Sequence, residues 1–365
     1  MALVFMDGMD SYGVIDDIRQ RYGFVNDNAT SGVALLPTSG VNSLQCIEMN
    51  NDERQLTLIH TGADVSATDH YVGFWYYPVD MASTSQADNE VMYINAAGTN
   101  GFVTTTSSPR IMSLWNTDAG EIFIKNGNDT EIDRTTSTPL ADGAWHWIEV
   151  RYRVSDTVGQ IEVRVNEVAE INESSLDTYN GANDILGSAK PYEWTFFGLN
   201  ADCWFDDIIV WDDTGTGGMT GFIGKSIIDT FRPIADGDHT DFTLASGSDH
   251  YAMVDETGTP AETDYADGST NGNQDSFTYD AAVSNFTSFH GIAVNTLSRA
   301  TQSGLRTTRE IVRSGGVDYD GATTTVTGGG DFWVTQSLWD EDPSDNSDWT
   351  KSKFDALQTG FEIVS

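Results

Sequence analysis

Basic charge is what this chain has least of. Lys and Arg total 18 against 56 Asp and Glu, a net charge of −38 over 365 residues, and five of the 18 are lysines. Phosphate backbones are held by clustered Lys and Arg. No basic run occurs, so neither nucleic acid nor an anionic membrane surface is an expected partner. Dispersed acid keeps a protein soluble. Cysteine is almost as scarce. Cys46 and Cys203 make neither a disulfide framework nor a zinc pattern, and each sits in an apolar strand-like run as a small buried residue would. No apolar stretch reaches the roughly 18 residues of a membrane span. The N-terminus, MALVFMDGMD, has no basic region before its apolar run, and Asp7 ends that run early, so no secretory signal is expected.

Long helical periodicity is missing as well. What is present is apolar: 39% of the residues are hydrophobic and 11% aromatic, enough for a large core. They recur in short runs rich in Val, Ile, Phe, Tyr and Trp, separated by Gly, Asn, Asp, Ser and Thr, the signature of an all-β protein. Such runs cover 2–6, 33–37, 44–49, 55–60, 70–78, 90–95, 110–116, 120–126, 193–199 and 203–211. The stretch DDTGTGGMTG (212–221) reads as a linker. Runs resume at 222–231 (FIGKSIIDTF), 251–256 (YAMVDE), 275–280, 291–300, 306–316, 331–339 and 360–365. Short helices are expected at Ile15–Tyr22 and Lys351–Leu357. The pattern predicts a large two-sheet sandwich over residues 1–213, a Gly/Thr linker over 214–221 and a smaller β-sandwich over 222–365.

One ribbon, WHWIEVRYRVSDTVGQIEVRVNEV (145–168), specifies its own register. Ile148, Val150, Tyr152 and Ile161, Val163, Val165 alternate onto one face, as in a half-buried antiparallel hairpin. Glu149, Arg151, Arg153, Glu162 and Arg164 take the other. A loop at Ser155–Val158 sets Arg151 against Glu162 and Glu149 against Arg164, whereas a two-residue slip sets Arg151 against Arg164. Opposite charges across strands contribute about 0.2–1 kcal/mol each, so the charges favour the first register. The charged face is expected to lie outward, exposed or covered by a neighbouring subunit.

Catalytic patterns are incomplete. A retaining glycosidase needs two carboxyl groups about 5–5.5 Å apart. The closest approach to the strand pattern E-x-D-x-x-E is EIDRTT, where Glu131 and Asp133 fit and Thr136 replaces the second glutamate. EVRVNE (162–167) has Arg164 at its centre. No G-x-S-x-G accompanies the Ser, Asp and His of SGSDH (246–250). The six histidines form no zinc motif. No catalytic residue is therefore assigned, and no cofactor, except that calcium has candidate ligands in Asp236, Asp238 and Asp241. An EF-hand would need Gly at Asp241 and an acid at Gly247, which leaves an irregular calcium site or an Asx-rich turn. Asp206 and Asp207 should point to opposite faces of their strand, one toward solvent and one satisfied by backbone donors. Trp115, Trp333, Trp339 and Trp349 are candidate sugar platforms or core residues.

Several segments resemble the laminin-G-like, concanavalin-A-like jelly rolls of tailed-bacteriophage virion proteins. They are FMDGMDSYG at the start, DGAWHWIEV and GQIEVRVNEV in the ribbon, and CWFDDIIVWDD as the closing strand. FIGKSIIDTFRPIADGD, SDHYAMVDE, DSFTYD and EIVRSGGVDYDG resemble the smaller β-domain that often follows. The resemblance implies a non-enzymatic virion protein, a capsid decoration, head fibre or tail component assembled in the host cytoplasm. Its implied partners are other virion proteins, further copies of itself and a host-surface glycan. The alternative is a carbohydrate-active enzyme, hydrolase or lyase, or a free lectin; the fold alone does not choose between them.

Overall fold

A computed structural model describes residues 3–10, 12, 24–26, 33–41, 45–49, 54–60, 68–82, 88–96, 110–155, 157–178, 192–198, 202–215, 219–256, 263–282, 286, 288–301, 305–328 and 333–365. The expected helix at Ile15–Tyr22 lies outside them. Fifteen strands come before residue 213: β1 (Leu3–Asp7), β2 (Phe24–Asn26), β3 (Val33–Leu36), β4 (Cys46–Met49), β5 (Arg54–His60), β6 (His70–Pro78), β7 (Asp88–Ala96), β8 (Arg110–Thr117), β9 (Ile122–Asn126), β10 (Glu131–Arg134), β11 (His146–Arg153), β12 (Gly159–Val165), β13 (Val168–Leu176), β14 (Tyr192–Gly198) and β15 (Cys203–Asp212).

They form two antiparallel sheets. The eight-stranded sheet runs β13-β12-β11-β6-β15-β4-β3, with β1 also on β15; the seven-stranded sheet runs β10-β9-β8-β7-β14-β5-β2. Alternation builds the space between them. Val72, Phe74 and Tyr76 of β6, Ile148, Val150 and Tyr152 of β11, and Met92 and Ile94 of β7 all enter one core. Sequence-distant strands become neighbours, as β6 does between β11 and β15, and the result is a jelly-roll sandwich.

The ribbon has the register its charges predict. Glu149 lies opposite Arg164, Arg151 opposite Glu162, and Tyr152 opposite Ile161. Its six apolar residues are 0–2% exposed. The charged face differs from expectation in what covers it. Glu149 and Glu162 are buried, and the cover is the chain's own segment 219–228. Phe222 lies against the Arg164 guanidinium at 3.8 Å and meets Tyr71 edge-on. Ile223 N–H and Gly224 N–H both donate to Glu149 Oε1, at 2.8 and 3.1 Å. Trp211 Nε1 donates to Gly221 O and Trp75 Nε1 to Ser226 O, at 2.8 and 2.7 Å. Glu162 accepts from both Arg151 and Arg164. Gly73 lies beneath this layer; a Cβ there would stand 2.6 Å from the Trp147 ring.

FIGKSIIDTF is therefore not a strand. It runs across the sheet as a strap, with backbone groups satisfied by side chains beneath it rather than by a ladder. The remaining strands are β16 (Pro233–Thr240), β17 (Thr243–Leu244), β18 (Ala266–Asp267), β19 (Gln274–Tyr279), β20 (Ile292–Ser298), β21 (Leu305–Ser314), β22 (Val317–Asp320), β23 (Thr324–Thr327), β24 (Trp333–Trp339) and β25 (Gln358–Ile363). A six-stranded sheet, β16-β19-β25-β21-β22 with β23 on β21, faces the two-stranded ribbon β20-β24. Ile292, Val294, Val312 and Trp339 form a small core between them. YAMVDE forms a 3-10 turn, Tyr251–Met253, and not a strand. The expected helix at Lys351–Leu357 stops at Phe354, with Thr350 accepting from Lys353 N–H as its N-cap.

Removing the ring that anchors the strap should loosen it. Burying a Phe side chain stabilises by about 1.5–3 kcal/mol, and Phe222 is partly buried. Phe222→Ala should lower stability in denaturant by about 2 kcal/mol and speed proteolysis within 214–228. A variant unchanged in both would show that the strap adds nothing.

Candidate functional site

The strap covers the part of the eight-stranded sheet's outer face built by Tyr71, Trp75, Trp147 and Trp211, and Tyr77, Trp145 and Trp204 form a half-buried cluster beside it; the seven-stranded sheet builds a different face. Because Met92, Ile94, Leu114, Ile122, Ile124 and Phe196 enter the core, the residues alternating with them point outward. A row of directly opposed residues crosses five strands: Thr57, Thr195, Tyr93, Ser113 and Lys125. Beside it Trp115 opposes Phe123, and Phe123 opposes Arg134.

Three aromatic rings of this face carry a cation. Arg110 lies 4.5 Å from the centroid of Tyr93, Lys125 4.0 Å from that of Trp115, and Arg134 4.2 Å from that of Phe123. Each cation also meets an acid. Arg110 Nη1 is 2.8 Å from Glu90 Oε1. Lys125 reaches Asp129 at 3.3 Å. Arg134 holds Glu131 with two bonds, 3.0 and 2.7 Å, and touches Glu121. Trp115 Nε1 donates to Ser113 Oγ. The floor is recessed: Thr195, Ser113, Asn95 and Tyr93 are buried, while Trp115, Lys125, Arg110 and Arg134 are half-buried.

Two groups here are held out of their ordinary state. Burial pushes Glu90 up to about 7, against the pull of Arg110 and Lys125. Asn95 opposes Arg110 across the strands, is 3% exposed, and has an amide oxygen with no donor among the described residues. A buried amide oxygen without a donor costs about 1–3 kcal/mol. The face thus offers ring surfaces, an ion pair, hydroxyls and an unfilled acceptor, the groups that hold a polyhydroxylated ligand.

The residues singled out in the sequence are distributed differently. Glu131 and Asp133 lie on β10 at the edge of this sheet, and hydrogen bonding from Arg134 holds Glu131 below the usual carboxylate range. Asp236 Oδ1 accepts from Tyr251 N–H, Asp238 pairs with Arg313 at 2.7 Å, and Asp241 Oδ2 accepts from Gln274 N–H. Each has its own partner, and among the described residues no group of three or more His, Cys, Asp or Glu is placed to hold a metal ion. The calcium candidates are therefore not one site. His250 pairs with Asp275 at 2.7 Å, not with its sequence neighbour Asp249. Trp339 and Trp349 are core residues, Trp333 is 37% exposed, and Trp115 belongs to the face. Cys46 and Cys203 are free and buried, and burial raises both thiols.

Asp206 and Asp207 do not alternate between faces. A register shift falls between Asp206 and Ile209, Asp207 has φ 48°, and both side chains are 3% exposed. Asp206 accepts from Val41 N–H and Asp207 N–H. Burial raises both; the Asp10 and Asp7 carboxyls add to it at Asp206, which reaches about 8, and the Asp206 carboxyl adds to it at Asp207.

No protein-family model matches the sequence, and no curated protein is detectably similar to it. Among solved structures the chain is similar to an endo-β-1,4-glucuronan lyase from the fungus Trichoderma reesei, with 10% identity over 57% of this chain and 95% of that one, TM-score 0.41. It is also similar to the catalytic domain of a glycoside hydrolase family 131 protein from Coprinopsis cinerea (11%, 57% and 94%, TM-score 0.39) and to alginate lyase vAL-1 from Chlorella virus (12%, 54% and 96%, TM-score 0.35). Likenesses this distant assign no residue of this chain a role.

The ordinary value of Glu90 is 4.5 and its folded value about 7. Between those values the folded chain binds the extra proton, so this group's contribution to stability is lost as pH rises from about 4.5 to about 7. Glu90→Gln removes that slope. The melting temperature of the variant, relative to the unmodified protein, should rise across this window. Parallel pH profiles would show that Glu90 ionises normally.

Proposed function

We propose that this chain is a non-enzymatic structural protein of a tailed-phage virion whose jelly roll holds a neutral host-surface glycan on the outer face of the seven-stranded sheet. One constellation carries the glycan reading: Tyr93 and Trp115 beside the Glu90–Arg110 pair and the unfilled Asn95 amide oxygen. Sugar rings present apolar C–H faces to aromatic rings and hydroxyls to charged hydrogen-bonding groups. The ligand is neutral because Lys125 and Arg134 already have acids beside them, and Arg110 has Glu90, which is ionised above about pH 7. Non-cleavage is supported by Thr136, which stands in place of the second carboxyl that the strand pattern of Glu131 and Asp133 would need. The placement on a virion, in capsid or tail, rests on the resemblance of the ribbon, the opening segment and the closing strand.

A second reading, a carbohydrate-active enzyme, is favoured by one observation. Burial raises Glu90 to about 7, a value suited to proton transfer at neutral pH.

Binding and cleavage separate the readings. Titration with neutral oligosaccharides should show saturable binding, weakened about tenfold or more, a loss of about 1.4 kcal/mol, in Trp115→Ala and in Arg110→Gln. Polysaccharides incubated with the protein should gain neither reducing ends nor unsaturated ends. Turnover that disappears in Glu90→Gln would establish the enzyme instead. Labelling of intact particles should find the chain on the capsid or tail, and its absence from particles would remove the virion reading.

A further inference from the structure

The six-stranded sheet of residues 233–363 has an incomplete second layer. A β-domain is closed by two full layers packed face to face, yet among the described residues this sheet meets two short ribbons, β20-β24 and, through Phe242 against Phe361, β17-β18. A cavity of about 1020 Å³ remains between them, reaching the strap and β1. Close-packed interiors leave few voids larger than a water molecule. The floor of this one is aromatic, with Phe231 and Phe289 both against Phe354, at 4.7 and 5.9 Å. Its rim is apolar and exposed. Of the ten exposed large hydrophobic residues among those described, Ile227, Val254, Tyr265 and Leu305 all line this cavity.

The charges along it show what fills it. Lys225 and Arg306 line the cavity and, among the described residues, meet no carboxylate. That is unusual in a chain with 56 acids and 18 bases. Glu256 and Asp264, both half-buried, also line it, and one oxygen of each, Oε1 and Oδ1, has no donor among the described residues. Burial and the neighbouring carboxylates raise Glu256 above its ordinary value. Arg232 and Asp275, on the same wall, are satisfied within the chain by the Asp10 and Glu256 carbonyls and by His250. Unmatched charges of both signs fit neither a simple anion nor a simple cation. They fit a surface carrying the same charges in reversed order.

We propose that this groove is a self-complementary interface, closed by the same groove of a second copy of this chain about a two-fold axis. In an isologous contact, residue i of one protomer meets residue j of its partner and the reverse. Lys225 and Arg306 of each protomer then face Glu256 and Asp264 of the other, and the four rim residues supply the apolar contact that the second layer lacks. Hydrophobic burial gives the affinity and the charges set the orientation.

Light scattering and sedimentation at micromolar protein should report the mass of two chains. Reversing the cations (Lys225→Glu with Arg306→Glu) makes an all-acidic groove; reversing the acids (Glu256→Lys with Asp264→Lys) makes an all-basic one. Each variant alone should have the mass of one chain, and an equimolar mixture should return to two. Leu305→Asp, at a residue 67% exposed and so not needed for folding, should also give single chains. Near-ultraviolet circular dichroism confirms that each variant is folded. A monomeric unmodified protein, a mass of three chains, variants that still pair alone, or a mixture that stays monomeric would each overturn the proposal.

Discussion

Glu149 Oε1 accepts two consecutive backbone N–H groups, Ile223 and Gly224, beneath a layer of aromatic rings. A buried carboxylate is tolerated only when hydrogen-bonded, and these two N–H groups have no strand to pair with. The two N–H groups are satisfied by Oε1, while Glu149 Oε2 is buried without a donor among the described residues and burial raises the group above its ordinary value. The strap they hold begins soon after β15 and ends where β16 starts, so its path sets where everything after residue 232 lies. Other contacts depend on the same seat. Trp75 and Trp211 both donate to its carbonyls, and a Cβ at Gly8 would stand 2.9 Å from Ile228.

The two outer faces of the jelly roll follow one rule with different ends. Both carry aromatic rings outward, and both place scarce cations against them: Arg164 at Phe222 on one, Arg110, Lys125 and Arg134 at Tyr93, Trp115 and Phe123 on the other. A ring face attracts a cation, and an acid beside the cation neutralises it. On the eight-stranded sheet the chain's own strap completes the arrangement. On the seven-stranded sheet the buried Asn95 amide oxygen has no donor among the described residues, and burial raises Glu90 to about 7.

Much of the fold was legible because strand alternation is local. The 145–168 ribbon states both its buried face and its register, and its pairing follows residue for residue. The strap was not legible, since FIGKSIIDTF has the apolar content of a strand and differs only in what lies beneath it. The strand Pro233–Thr240 was missed for the opposite reason. PIADGDHT carries Pro, Gly and two Asp, which an edge strand tolerates. Asp206 and Asp207 defeated the alternation rule because a bulge and a positive φ intervene. The candidate face was illegible because its parts lie on different strands, as Glu90 and Arg110 do. A partial signal existed: Tyr93, Trp115 and Phe123 all occupy outward positions on successive strands, with Lys125 two residues after Phe123.

The central claim is that the seven-stranded face, and not the rest of the molecule, engages the glycan. Hydrogen–deuterium exchange of the whole protein, with and without a saturating neutral oligosaccharide, tests it most directly. Protection is expected in peptides spanning 88–96 and 110–126, with the ribbon at 146–165 and the sheet after residue 233 unchanged. Protection confined to those unchanged regions, or none at saturating ligand, would contradict the account.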